Sequence, residues 1–334
     1  MKWTAGLVAV VVLGVSALTG CSAGQAGGGS SGETAGAASG ASGPAPAAGG
    51  GTFAVVTHAS AGDAFWDVVK NGAEAAGKRY GVTVTYQGDG DPARQSQLVD
   101  QAVSQKVDGL VVSMANPDAL KESVTKAVTA GIPVITINSG GDVSREFGAI
   151  THVGQSEDVA GRGAGEKLKA EGVTKLLCVI HEAGNVGLDQ RCNGATQGLG
   201  GTVERLQVDV GNLADATSKI KARLQSDTSL DGVLTLNPAV AVAARDAIAD
   251  GGSKARLGTF DLSADVVAAI EDGEILFAVD QQQYLQGWLP ITFLTLHKEN
   301  LNTVGGGLPV NTGPGFVTKD NAAKVAQLAE SGTR

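Results

Sequence analysis

The pattern that most restricts how this chain can fold begins at Phe53, where a short apolar run, a polar loop and an amphipathic helix form a unit that repeats along the chain. Phe53-Ala54-Val55-Val56 lies between glycine-rich sequence and Ser60-Ala61-Gly62-Asp63, as a strand buried on both faces should. Phe65, Val68, Val69, Gly72 and Ala73 then recur at helical spacing, which lays a helix on the sheet. Strands over 83–86, 109–113 and 133–137 alternate with helices over 93–105 and 117–130, the latter stopped at Gly131. A second series places helices over 156–170, 188–199, 215–225, 239–249 and 264–271, and strands over 176–180, 202–208, 232–236, 256–260 and 276–279. Such alternation predicts an α/β fold of parallel sheets covered on both faces and wound with right-handed crossovers. Two series of similar size predict two doubly wound lobes.

After Val279 the chain reads Asp280-Gln281-Gln282-Gln283, then a mostly apolar helix over 284–297 interrupted by Pro290, then Gly305-Gly306-Gly307, and a last helix over 321–330. Polar segments at 151–155 and 280–283 and the glycine-rich 305–313 predict three crossings that form a hinge. The lobes are then 52–154 with 282–310, and 155–281 with 311–334. The loop from His58 to Asp63 falls at the carboxyl end of a strand before a helix, the place where open α/β sheets bind ligands.

Ahead of this body, Lys2 and the apolar run 7–17 form a secretory signal over 1–20. Leu18-Thr19-Gly20-Cys21 resembles the lipobox of bacterial lipoproteins, which implies a lipid on Cys21 and an extracytoplasmic protein anchored to the cell membrane. Residues 21–51 are almost only Gly, Ala and Ser with Pro44 and Pro46, too poor in apolar groups to fold, and predict a flexible tether spanning about 30 Å. The net charge of −9 argues against nucleic acid as a partner. Export places Cys178 and Cys192 in an oxidising compartment, and a disulfide between them is expected; their spacing is far from that of a redox-active Cys-x-x-Cys pair.

Asp63-Ala64-Phe65-Trp66 ahead of Lys70-Asn71-Gly72-Ala73, Asp108-Gly109-Leu110-Val111-Val112-Ser113, Ala130-Gly131-Ile132-Pro133-Val134, Thr259-Phe260-Asp261 and Asp280-Gln281 with Gly287 follow one another in an order that resembles the periplasmic monosaccharide-binding proteins of the ribose-binding type. The resemblance covers nearly all of 52–334. It implies a substrate-binding lipoprotein of an ABC importer, whose lobes close on one small sugar or polyol and present it to a membrane permease. It also implies the ligand-binding positions: Asp63, Phe65, Trp66, Ser113, Asn138 and Ser139 in the first lobe, and Asp189 or Arg191, Asn237, Asp261 and Gln281 in the second. Sugar hydroxyls both give and accept hydrogen bonds, so carboxylates and amides suit them, and aromatic rings pack on their C–H faces. Where ribose binders carry Asp-Arg after the fourth strand, this chain has Asn138-Ser139, which puts ribose itself in doubt.

Each position also has a plainer role. Phe65 and Trp66 fit a core, Asp261 and Asn237 fit helix caps, Gln281 fits a hinge, and Arg191 fits an ordinary ion pair. Trp288 reads as core. Catalysis is not expected: His58 and His181 follow strands, yet His181-Glu182-Ala183-Gly184-Asn185 lacks a second metal-binding histidine, and no Gly-x-Ser-x-Gly elbow occurs. No cofactor or metal is expected, and the protein is read as a monomer. A lactose-repressor-type regulator would need a DNA-binding segment where the signal and tether stand. A receptor of the same fold that feeds a sensor or signalling system is the alternative that sequence does not separate from transport.

Overall fold

The computed structural model describes residues 50–60 and 63–334; the signal, Cys21 with its expected lipid, and nearly all of the tether lie outside the described residues. In chain order the elements are β1 (Thr52–Thr57), α1 (Ala64–Tyr80), β2 (Thr83–Gly88), α2 (Pro92–Ser104), β3 (Gly109–Ser113), α3 (Pro117–Thr129), β4 (Val134–Ile137), α4 (Gly141–Ser144), β5 (Thr151–Gly154), α5 (Glu157–Ala170), β6 (Lys175–Ile180), α6 (Val186–Leu199), β7 (Thr202–Gln207), α7 (Leu213–Ser226), β8 (Gly232–Thr235), α8 (Pro238–Gly251), β9 (Arg256–Phe260), α9 (Ala264–Asp272), β10 (Phe277–Asp280), α10 (Gln283–Asn300), β11 (Val310–Asn311), β12 (Gly315–Thr318) and α11 (Ala326–Glu330).

The strands form two 6-stranded sheets of matching order, β11-β5-β4-β3-β1-β2 and β12-β10-β9-β8-β6-β7. Pairing is parallel in both, except that β12 runs antiparallel to β10. Central strands β3, β4 and β8 are buried at every residue, which is why they read as unbroken apolar runs. Edge strands β2 and β7 are largely exposed and read as polar. Apolar clusters cover both faces of each sheet, so each lobe has its own core. No described helix is long and apolar enough to cross a membrane.

The chain passes between the sheets from β5 to α5, from β10 to α10, and from β11 to β12. The first two passages exchange helices: α5 leaves the first sheet and packs on α6, while α10 leaves the second and packs on α1. Both helix pairs close on glycine. A Cβ on Gly72 or Gly287 would run into the backbone of Tyr284 or Val69, and one on Gly161 or Gly194 into that of Arg191 or Asp158. Helix α10 runs through Pro290 without ending, and Trp288 is half-buried against the first-lobe core, stacked on Tyr284.

Three local expectations differ from the structure. Residues 151–154 form strand β5 rather than a bare crossing; the run Thr-His-Val-Gly is too short and too polar to stand out from a loop. Helix α6 begins at Val186, capped by Asn185, two residues before the expected start. The last helix is reduced to a 3-10 turn over Ala322–Lys324 and the short α11. Cys178 on β6 and Cys192 on α6 are joined in a disulfide, with Cα atoms 6.0 Å apart. Beyond α11 the tail turns back on the body: Asn71 of α1 donates to the Gly332 carbonyl at 3.2 Å, and Arg334 pairs with Asp280 at 2.6 Å.

Candidate functional site

The carboxyl ends of both sheets face one cleft, and three helix caps are placed there by the same strand-to-loop geometry. Asp63 caps α1 by accepting from the Phe65 N–H at 3.1 Å, Asn185 caps α6 by accepting from Gly187 at 3.0 Å, and Asn237 caps α8 by accepting from Ala239 at 2.8 Å. Each cap keeps a second polar atom for the cleft. Asn237 Nδ2 reaches Asp63 Oδ1 at 3.3 Å across the lobes, and Ser139 Oγ donates to Asn185 Oδ1 at 3.3 Å. The Val186 N–H donates to the Ala115 carbonyl at 3.0 Å and Gln190 to Asp142 at 2.7 Å, so the two lobes meet in a closed arrangement.

On the first-lobe wall, His58 follows β1. Its N–H donates to Ser113 Oγ at 3.0 Å, its Nδ1 lies 2.7 Å from the same oxygen, and its ring meets Trp66 edge-on at 4.7 Å. Trp66 in turn meets Phe65 edge-on at 5.0 Å. Asn138, after β4, takes a left-handed φ of 62°, a conformation that asparagine tolerates. It donates to Gln281 Oε1 at 3.1 Å.

The second-lobe wall carries the charge. Arg191 on α6 makes two hydrogen bonds to Glu157 on α5, at 2.6 and 3.0 Å, and its Nη1 lies 3.7 Å from Asp261 Oδ2. Its guanidinium stacks over Phe260 at 4.6 Å. Asp261, left-handed at φ 69°, accepts from Gln281 Nε2 at 2.7 Å. His181 and Glu182 follow β6, and His181 Nδ1 is buried without a hydrogen-bond partner among the described residues.

Burial shapes the charges here. It pushes the Asp261 carboxyl up to about 7 against the pull of Arg191 and Gln281, and raises Asp63 against its two hydrogen bonds. It holds His58 down, and lowers His181 to about 3. For Arg191 burial works downward but is overcome by Glu157, and its pKa is raised.

The space among these side chains amounts to ≈ 30 Å³, room for roughly two waters. Among the described residues no group of three or more His, Cys, Asp or Glu is arranged to hold a metal ion.

The structure brings Asp63, Phe65, Trp66, Asn138, Ser139, Arg191, Asn237, Asp261 and Gln281 to this cleft. Phe65 and Trp66 both line it while belonging to the first-lobe core. Asn237 is cap and lining at once, whereas Asp261 is no cap, since Ser263 caps α9. Two expected positions are elsewhere. Asp189 lies two residues before Arg191, about 200° around the helix; it is half-exposed and paired with Arg205 at 2.7 Å. Ser113 sits behind the wall and holds His58. The expected set lacked His58, His181, Glu182, Asn185, Leu188 and Leu236, which also line the cleft. Asn185 had a readable signal, an asparagine just ahead of an apolar helical run.

The family described as periplasmic binding protein domain matches residues 53–300, more than half of the chain, and the chain belongs to that family. It is 25% identical over 240 residues to the xylose/arabinose-binding protein XylF of Sulfolobus acidocaldarius, covering 67% of this chain and 60% of that protein's length. It is 26% identical over 231 residues to the ribose import binding protein RbsB of Bacillus subtilis, covering 67% of this chain and 74% of that one. The structure of a carbohydrate transporter from Acidothermus cellulolyticus 11B in complex with myo-inositol superposes with a TM-score of 0.84 at 42% identity, over 85% of this chain and 99% of that one.

Proposed function

We propose that the chain is the substrate-binding component of an ABC importer, held outside the cytoplasm by a lipid on Cys21, and that it carries one monosaccharide or cyclic polyol in the cleft. The observation that carries this reading is the cleft's composition. Four amides, three carboxyl groups, one guanidinium and two imidazoles converge from both lobes beside the rings of Phe65 and Trp66, in a chain similar at 42% identity to a protein holding myo-inositol. Hydroxyls find donors and acceptors in alternation there, and ring C–H groups find an aromatic edge.

The mechanism is hinge closure. A polyol touches both walls only when the lobes are together, so its binding energy shifts the population toward the closed arrangement. The cross-lobe bonds of Asn237 to Asp63 and Ser139 to Asn185 are contacts that opening breaks. The permease then reads the closed outer surface.

A thermal-shift screen of the purified protein against myo-inositol, pentoses, hexoses, nucleosides and amino acids tests the reading. A true ligand at hundredfold excess over its Kd adds about 2.7 kcal/mol of stability. Replacing Trp66 by Ala is expected to weaken that ligand at least tenfold, about 1.4 kcal/mol, by titration calorimetry. A shift with nucleosides or amino acids alone would overturn the substrate class.

A further inference from the structure

Charge in the cleft does not balance. Among the described residues its lining offers the carboxyl groups of Asp63, Glu182 and Asp261 against one cation, Arg191. That cation is already engaged twice by Glu157 and lies within 3.7 Å of Asp261. Burial disfavours the charged form of both His58 and His181, so the histidines do little to offset the carboxyl groups.

Among the described residues, Asp63 and Glu182 are therefore left without a positive partner. Among the described residues Asp63 receives only the Phe65 N–H and the Asn237 amide; Glu182 receives the Asn185 amide at 2.9 Å and approaches His58 Nε2 at 3.8 Å. Both line the same cleft of ≈ 30 Å³, where the charge of Glu182 adds to burial in raising Asp63. Trp66 lines the same cleft, its ring edge-on to the His58 imidazole that Glu182 approaches. Two carboxylates lining a largely enclosed cleft without a cation make a poor setting for a further acceptor and a good one for a cation.

We infer that the cleft takes a polyol bearing a protonated amine, an amino sugar or an aminocyclitol, with its ammonium toward Asp63 and Glu182 and its hydroxyls on Asn138, Asn237 and Gln281. The inference rests on the reading of the cleft as a polyol site and narrows it. An ammonium group is close to a hydroxyl in size, so it takes a hydroxyl's place without new room. It donates three hydrogen bonds where a hydroxyl donates one, and each bond to a carboxylate is charge-assisted. Its desolvation is offset by relief of the repulsion between the two carboxylates.

Calorimetry at neutral pH with matched pairs decides it: myo-inositol against an aminodeoxyinositol, D-glucose against D-glucosamine, D-galactose against D-galactosamine. The amine is expected to bind at least tenfold more tightly than its hydroxyl parent in at least one pair, and Glu182→Gln to cut that ratio at least fivefold while the circular-dichroism melt remains cooperative. If parents bind and every amine binds equally or more weakly, the inference fails and the polyol reading stands. If no member of any pair binds, both fall. A tighter amine whose advantage survives Glu182→Gln overturns the placement of the ammonium.

Discussion

Matching the two sheets strand for strand pairs β1 with β6 and β4 with β9, and the residues that follow those strands can be compared directly. His58 stands where His181 stands, and Asn138 where Asp261 stands, the latter two sharing a left-handed backbone. Counting from the caps Asp63 and Asn185, Gly72 corresponds to Gly194 and Val69 to Arg191, and the exchanged helices supply Gly287 against Val69 and Gly161 against Arg191. One backbone plan is used twice. The chemistry is not: the first wall answers the cleft with the rings of Phe65 and Trp66 beside Asp63 and Asn138, the second with a buried ion cluster around Arg191 beside Asn185 and Asn237. The repeated scaffold fixes where side chains point, and their type is set independently at each position.

Four tests press on this comparison. Arg191→Ala strands Glu157 and Asp261 without their cation and is expected to cost about 3–5 kcal/mol in urea unfolding. Its counterpart Val69→Ala should cost about 2 kcal/mol. Equal losses would mean that the ion cluster adds nothing beyond packing. Next, Cys178→Ser with Cys192→Ser removes a link across 14 residues of the second lobe, worth about 3 kcal/mol by loop entropy. Limited proteolysis should then cut the second lobe before the first, and simultaneous cleavage of both would contradict a lobe-specific role.

Gly161→Ala and Gly287→Ala occupy equivalent helix contacts, so both should lose about 1–3 kcal/mol through overpacking; thermal melts differing widely between them would break the equivalence. The last test concerns pH. The folded chain keeps a proton on Asp261 up to about 7, against 3.8 ordinarily, so this group's contribution to stability falls as pH rises through that window. His181, lowered to about 3, and His152, lowered to about 4, work the other way, their contributions rising with pH toward 6.5. Asp261→Asn should therefore make stability climb more steeply than in wild type between about pH 4 and 6.5. Parallel urea-midpoint curves would show that Asp261 titrates alike folded and unfolded.

How much of this was legible followed from burial. Strands such as 109–113 and 232–236 are enclosed on both faces and announce themselves as apolar runs, and their ends locate Asn138, Asn237 and Asp261 at the cleft. Strand β5 made no such announcement, being four residues long with a histidine inside. Phase on a helix was the other blind spot: with α6 starting at Val186 rather than 188, Arg191 turns inward and Asp189 outward, a distinction that spacing alone did not make. His181 and Glu182 carry no local motif. Their place depends on the second lobe closing over the first, a contact between residues more than a hundred apart in sequence.

The tail that holds Asp280 through Arg334 and Asn71 through Gly332 has a practical consequence. Asp280 begins one of the passages between lobes, and Asn71 lies on a helix of the opposite lobe from α11. A reporter attached beside Arg334 would thus ride on the joint itself and register each closure. One attached at Gly50, just before β1 at the amino end of the first sheet's strands and opposite the cleft, would travel with that lobe as a passive label. A sensor made from this protein has its signalling position and its mounting position already assigned.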